Sequence, residues 1–343
     1  MPVRDRRGDV ETGAPIDFVV TYLDPADPKW REDRRRFSTE GLAWGEANGD
    51  ERYRSMDNFQ YWFRAVERYA PWVRTVFLVT QGHVPGWLNL GHPKLRVVRH
   101  DEFMDPRVLP VFNSNSIELS MDQIDGLSEQ FVEFNDDVFL NNPVGPEHFF
   151  VKGRPRIDCM CATPLPSTDF NMVMFNNMRV INQVAKPNLR FYLNALSPKN
   201  GILEALYGAT LLPTIILSGK FVGFRALHTP HPLRKSALRW LKGQVPRPYA
   251  RTIATRFREY EDVNIWSVLD YMRATGYIEV CPMVAENIMV KLMPESDYEA
   301  LLRSRYKVIC LEDSPDTVDF SDQVARLNSA LARKFPTKST FEE

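Results

Sequence analysis

Residues 131–137 read Phe-Val-Glu-Phe-Asn-Asp-Asp. A short run of strand-forming residues, 131–134, ends abruptly in Asn135-Asp136-Asp137. Aromatic and β-branched residues bounded by turn formers read as a buried strand. Two adjacent carboxylates directly after such a strand are costly to desolvate unless something compensates them. A hard divalent cation does so, taking one or two carboxylates together with substrate phosphates as ligands. Asp and Asn are equally at home in a turn or a helix N-cap, and the tripeptide alone leaves both readings open.

The same strand-then-polar pattern recurs upstream. Residues 16–22 (IDFVVTY) run into Asp24-Pro25, and residues 75–80 (TVFLVT) run into Gln81-Gly82. Residues 95–99 form a third, shorter strand. Between them, residues 57–69 place Tyr61, Trp62, Ala65, Val66 and Tyr69 on one helical face, and Pro71 stops that helix. Residues 114–124 read as a second helix, with Ser114 or Asn115 as N-cap. This order predicts an α/β fold with a mostly parallel twisted sheet and flanking helices. In such sheets ligands gather beyond the carboxyl ends of the strands. Residues 21–24, 80–82 and 135–137 all fall there.

The second half reads as largely helical, with helices over 175–184, 201–207, 232–241, 262–274 and 319–334 and Pro-rich loops at 163–166 and 244–248. No linker-like break or internal repeat appears. The expectation is a single domain over 15–335, with an α/β part to 165 and a mostly helical part from 166. A disordered leader, 1–14, and a flexible tail, 336–343, flank it.

Composition narrows the function. The chain has 343 residues, 44% hydrophobic, ordinary for a globular protein. A net charge of −1 excludes the overall basic field of a nucleic-acid binder. Basic clusters at 31–36 and 234–256 read as solvated faces, or as surfaces for an anionic substrate or a membrane. The most apolar stretch, 208–224, is interrupted by Pro213 and Lys220 and is no membrane span. The first 14 residues lack the apolar core of a signal peptide. Cys159, Cys161, Cys281 and Cys310 match no zinc spacing and read as buried, reduced thiols. A cytoplasmic protein, with any membrane contact peripheral, is expected.

Several other residues could carry chemistry. Glu118 lies on the helix that leads into the 131–134 strand, although alone it reads as a surface glutamate. In His228-Thr229-Pro230-His231, a histidine can take a proton near neutral pH, and Arg234-Lys235 beyond it can hold phosphate oxygens. A surface turn before a basic helix is the plainer alternative. Arg258, Arg54 and Asp57 could each face a phosphate-bearing ligand or simply water. No P-loop, dinucleotide fingerprint or nucleophile elbow is present.

Taken in order, these segments resemble the Stealth family, which includes bacterial capsular polysaccharide phosphotransferases and the catalytic subunit of the lysosomal-enzyme N-acetylglucosamine-1-phosphotransferase. Its first block resembles IDFVVTYLD at 16–24. Its second, the longest, resembles ERYAPWV at 67–73, VTQG at 79–82, PGWLNL at 85–90, LPVFNS at 109–114, Ile117-Glu118 and FNDDV at 134–138. The third resembles HTPH at 228–231 with Phe257-Arg258 and Glu261-Asp262, and the fourth VICLED at 308–313. Departures include Pro25 for the usual Gly, Tyr22 for Trp and Glu312 for Asn.

The resemblance implies transfer of a sugar-1-phosphate from a nucleotide sugar, expected to be UDP-linked, to a hydroxyl of an acceptor glycan in capsule or exopolysaccharide synthesis. Nucleotide monophosphate would leave. It places catalytic groups on Glu118, Asp137, His228 and Arg258, and Mg²⁺ or Mn²⁺ on Asp136 and Asp137. Thr21, Tyr22, Asp24, Arg54, Asp57 and Gln81, with Asn115 and Arg234, are the expected substrate-binding residues. Association with a membrane or a capsule-assembly complex would be peripheral. Two rivals stand beside this reading: a metal-dependent glycosyltransferase releasing nucleotide diphosphate, and a non-catalytic polysaccharide- or membrane-binding module.

Overall fold

The computed structural model describes residues 13–41, 48, 53–165, 168–313 and 317–343. Residues 1–12 of the expected leader and Pro166 of the expected 163–166 loop lie outside them. The chain begins with β1 (Ile16–Thr21), α1 (Pro28–Gly41), α2 (Phe59–Tyr69), β2 (Val76–Thr80), β3 (Leu95–Arg99), α3 (Ser114–Glu118) and β4 (Gln130–Phe134). It continues through β5 (Val138–Leu140), β6 (Phe150–Val151), β7 (Arg154–Ile157), α4 (Asp169–Val184), α5 (Leu189–Ala195), α6 (Ile202–Ala209) and α7 (Leu212–Ser218). Next come β8 (His231–Arg234), α8 (Lys235–Gln244), α9 (Pro246–Ile253), α10 (Trp266–Thr275), β9 (Glu279–Val280) and α11 (Met283–Glu286). The last elements are β10 (Asn287–Lys291), α12 (Tyr298–Arg303), β11 (Val308–Glu312) and α13 (Phe320–Lys334).

The main sheet has the order β3-β2-β1-β4-β8. Its first four strands are parallel, as the continuous apolar runs require for strands buried on both faces. Alternate residues serve two cores. Val19, Phe77, Val79 and Phe131 enter the one beneath α8 and α10, while Phe18, Val20, Leu78, Val132 and Phe134 enter the one beneath α2 and α13. Strand order reverses between β1 and β4, and a crevice opens at the carboxyl end of such a switch point.

Two further connections complete that end. Strand β8 runs antiparallel to β4, pairing His231 with Glu133 and Arg234 with Gln130. Residues entering β8 therefore lie at the carboxyl end of the parallel strands, and residues leaving it lie at the far end. Strand β5 follows Asp137 directly and pairs antiparallel with β11, Val138 opposite Cys310.

Local differences from the expected elements have local causes. The helix expected over 114–124 is α-helical only to Glu118, followed by a 3-10 turn at Met121–Gln123. Its N-cap is Asn113, whose side chain accepts from the Asn115 N–H at 3.0 Å. The helix expected over 232–241 begins only at Lys235, and residues 232–234 belong to the edge strand β8, a position that tolerates Pro232. The helix expected from 262 begins at Trp266, because Asp262 and Asn264 are engaged in a buried network with Asn113, Asn115 and Asn177. The tail at 336–343, expected to be flexible, is docked. Phe341 is buried, and Glu342 pairs with Arg64 at 2.6 Å.

Candidate active site

A cleft of about 300 Å³ opens where β1, β2 and β4 end. Thr21 and Tyr22 line it from β1, Gln81 from β2 and Asn135-Asp136-Asp137 from β4. Arg54 and Asp57 line it before α2, and His228, Arg258, Glu312 and Asp313 close it from the second half. Residues as far apart in sequence as Thr21 and Asp313 thus meet at one strand-end crevice.

His228 is held on both ring nitrogens. Its Nε2 lies 2.6 Å from the Asn135 side-chain amide nitrogen, and its Nδ1 lies 3.7 Å from Asp137 Oδ2 and 3.3 Å from Cys310 Sγ. A carboxylate beside one ring nitrogen fixes the orientation of the imidazole in the cleft. Asp137 keeps a second, buried oxygen, Oδ1, without a hydrogen-bond partner. Asp136 is exposed within the cleft. The surrounding protein walls and then the Asp137 charge push its carboxyl above the usual range, and the water that reaches it limits the rise.

Beneath His228 lie three buried titratable groups. Glu133 faces His231 Nδ1 at 2.6 Å. Burial pushes Glu133 up to about 8, with the Asp137 charge acting in the same sense and His228 pulling back. Burial, aided by His228, pushes His231 down to about 3. Both shifts favour the neutral forms, because burial penalises both charges of an ion pair. Glu118 is held well above the carboxylate range by burial and then by Glu133, against the pull of Arg258 and a Ser114 hydrogen bond.

Arg258 rides on a loop fixed by buried polar groups. Asn113 Nδ2 donates to Asp262 Oδ2 at 2.9 Å and to the Phe257 carbonyl at 3.2 Å. The Glu259 N–H also donates to Asp262 Oδ2, at 3.1 Å. Phe112 stacks on Phe257, ring centroids 5.0 Å apart. Arg258 Nη2 donates to Ser114 Oγ at 3.0 Å. This scaffold brings Arg258 to the wall of the cleft that the acidic pair also lines.

Not every expected residue reaches the cleft. Asp24 accepts from the Ala26 N–H at 2.8 Å, capping its own turn, and its carboxylate is outside the lining. Burial, then the Asp24 charge, pushes the neighbouring Tyr22 phenol up to about 12. Asn115 is buried, lies outside the lining and donates to Asp262 Oδ2 at 3.2 Å, so it helps to build the Arg258 loop. Glu118 sits behind the wall formed by Ser114 and Ile117. Arg234 is at the far end of β8, bonded to Glu129 at 2.9 Å and to the Tyr277 hydroxyl at 2.8 Å. The antiparallel course of β8 brings His228 to the cleft and carries Arg234 away from it. Arg54 does line the cleft, as a bidentate partner of Asp313 at 2.8 and 2.9 Å.

Cys310 and Glu133, close to the cleft, are residues that sequence reasoning did not place at the site, while His231 and Ser114 entered it only as part of the 228–231 motif and as a helix cap. Glu133 carried a readable signal, a carboxylate inside an otherwise apolar strand. Cys310 carried none, since its position depends on the β5–β11 pairing. All four cysteines are free and buried, as expected.

Among the described residues, Asp137, His228 and Cys310 form a group whose possible ligand atoms all lie within 4.8 Å. Mixed oxygen, nitrogen and sulfur donors suit a borderline ion such as Zn²⁺. A hard ion such as Mg²⁺ takes oxygens, and the unpartnered Oδ1 of Asp137 fits that requirement in part.

Two family models match the chain. Stealth protein CR2, conserved region 2, covers residues 52–157, and Stealth protein CR3, conserved region 3, covers residues 227–274. The first contains the acidic pair, and the second contains His228 and Arg258. Among curated relatives, the capsular polysaccharide phosphotransferase WcwK of Streptococcus pneumoniae is 33% identical over 96% of this chain and 99% of its own length. The exopolysaccharide phosphotransferase cps2G of Lactiplantibacillus plantarum is 33% identical over 96% of each chain. The receptor polysaccharide phosphotransferase WefC of Streptococcus gordonii is 33% identical over 95% of this chain and 98% of its own. A galactosyltransferase solved with donor and acceptor sugar analogues covers 94% of this chain and 98% of its own at 11% identity and a TM-score of 0.42. That match is too loose to carry an argument.

Proposed function

The chain belongs to the Stealth family, and from that premise we propose that it transfers a sugar-1-phosphate from a nucleotide sugar, UDP-linked, to a hydroxyl of an acceptor glycan in capsule or exopolysaccharide synthesis. The observation that carries this reading is His228, held by Asp137 over a cleft that also presents Asp136 and Arg258. The relatives named as polysaccharide phosphotransferases support it over nearly the full length.

In this reading His228 takes the proton of the acceptor hydroxyl. The hydroxyl oxygen attacks the sugar-linked phosphorus of the donor, and the bond from that phosphorus to the bridging oxygen breaks. A phosphodiester forms, and nucleotide monophosphate leaves with the bond's electron pair. Arg258 neutralises the transferred phosphate, as phosphoryl transfer requires. Asp137 orients His228, and Glu118 positions Arg258 from behind the wall. Thr21, Tyr22, Arg54, Asp57 and Gln81 form the nucleotide side. Mg²⁺ or Mn²⁺ would be held by Asp136 and by Asp137 Oδ1, where it would offset the charge of the donor's pyrophosphate. Among the described residues no helix is long and apolar enough to cross a membrane.

The deciding experiment incubates the protein with a panel of nucleotide sugars and a phosphate-linked oligosaccharide primer and identifies the released nucleotide. A monophosphate is expected. Release of a diphosphate, the product of glycosyl transfer, would overturn the reading.

A further inference from the structure

Apolar side chains in the second half are divided between core and surface in a way that solvent alone does not favour. On α5, Phe191 and Ala195 enter the core, whereas Leu189, Leu193 and Leu196 share the outward face at helical spacing. On α6, Ile202, Leu203, Leu206 and Tyr207 point outward, Leu203 with 78% of its surface exposed. On α7, Leu212 and Ile215 are buried, while Ile216 and Leu217 are exposed, Leu217 by 88%. Helix α5 packs on α6 and α6 on α7, so the three outward faces adjoin. Single exposed apolar residues are ordinary, but an array of this size on three consecutive helices marks a surface that meets something apolar.

The charges around the array indicate what that is. Lys186 precedes α5 and Arg190 lies in its first turn; Lys199, between α5 and α6, pairs with Glu279 at 2.7 Å, and Lys220, after α7, keeps its charge while donating to the Asn182 carbonyl at 3.0 Å. Glu204 is the only acidic residue in the same span, 186–220. A second copy of the chain would bring two basic rims together, which opposes self-association through this face. Apolar faces with lysines at their ends match the headgroup–acyl boundary of an anionic bilayer.

We propose that the outward faces of α5, α6 and α7 are a docking surface for an anionic lipid bilayer, with the leucines in the interface and Lys186, Arg190 and Lys220 at lipid phosphates. This surface is distinct from the basic segment 234–256, whose Arg234, Lys235, Arg239 and Lys242 bond to Glu129, Asp122 and neighbouring carbonyls. Helix α4 runs from this region toward the residues packed beneath His228. Phe170 on α4 meets Trp266 edge-on at 5.5 Å, and Trp266 meets His231 at 4.5 Å. At about 1.5 Å per residue, α4 spans roughly 24 Å between the two. The binding itself does not depend on the proposed transfer reaction.

The test sediments the full-length protein with vesicles of phosphatidylglycerol and phosphatidylcholine, and with phosphatidylcholine alone. The expected result is binding to the anionic vesicles, weakened several-fold on neutral vesicles or in high salt. The pair Leu203→Gln with Leu217→Gln should lower partitioning at least tenfold, with thermal unfolding checking its fold. Should that pair fail to fold, Lys186→Glu with Arg190→Glu should weaken anionic binding without that risk. Arg234→Ala with Arg239→Ala should bind as the parent does. Absence of vesicle binding, equal binding by the α5–α7 variants, or a dimer by light scattering that these variants dissociate would each overturn the proposal. Because no turnover is read, failure here leaves the transfer reaction standing.

Discussion

Asp158 and Glu133 are both carboxylates sealed from solvent, yet their surroundings follow different rules. Asp158 receives hydrogen bonds from Arg273 at 2.8 Å and from Arg225 at 2.8 Å, and Arg273 also bonds Asp270 at 3.0 Å. None of these four residues has a buried side-chain nitrogen or oxygen left unpartnered, although burial still lifts Asp270 to about 7. Around Glu133 the pattern inverts. Its own Oε1, His231 Nε2, Glu118 Oε2 and Asp137 Oδ1 are all buried without a partner. Unsatisfied buried groups are destabilising, so a concentration of them beside a cleft marks a site shaped for chemistry more than for stability. The balanced cluster, which ties α10 to the end of β7, has a structural role.

That contrast can be broken by measurement. The largest effect is expected for His228→Ala, which should lower kcat by about 10²–10⁴-fold while leaving the unfolding midpoint nearly unchanged. Turnover within a few-fold of the parent would remove His228 from the proton transfer. Arg273→Met should do the reverse, leaving Asp158 and Asp270 buried without their shared cation and destabilising the fold by about 3–5 kcal/mol. Urea denaturation measures it, and a loss below about 1 kcal/mol would show that the balanced cluster is not structural.

Glu133→Gln sharpens the comparison through pH. Folding raises the Glu133 carboxyl from 4.5 to about 8, so the folded state holds the proton more tightly than the unfolded state. Its stabilising contribution is fully present below about pH 4.5 and is lost as pH rises through about 8. Glutamine does not ionise, so denaturation curves at about pH 5, 7 and 9 should show a flatter pH dependence in the variant. An unchanged slope would mean that Glu133 is ionised in the folded protein. The smallest effect belongs to Arg234→Ala, whose half-exposed pair with Glu129 should be worth no more than about 1 kcal/mol and whose distance from the cleft should leave turnover within twofold.

The parallel layer was legible because its evidence is local. Residues 16–22, 75–80, 95–99 and 131–134 are runs of strand-forming side chains, and β1 to β4 lie on them within a residue. Strand β8 was not legible. Residues 231–234 contain a proline and lead straight into a helix, and only pairing with the edge of β4 makes them a strand. The cleft divides in the same way. Placement beyond strand ends anticipated Thr21, Gln81 and the acidic pair, and family resemblance supplied His228 and Arg258. Neither source showed that Asp24 turns away to cap its own loop, or that Asn115 is committed to Asp262.

By itself the sequence determined which segments could be buried as strands, where each would end and that two carboxylates would follow one of them. Those properties depend on side chains a few positions apart. Which groups share the crevice was decided only in three dimensions. The antiparallel entry of β8 delivers His228 and removes Arg234, and the β5–β11 pairing sets Cys310 beside Asp137. The physical reason is that strand direction and register are settled by the edge a strand joins, and that edge can lie a hundred residues away.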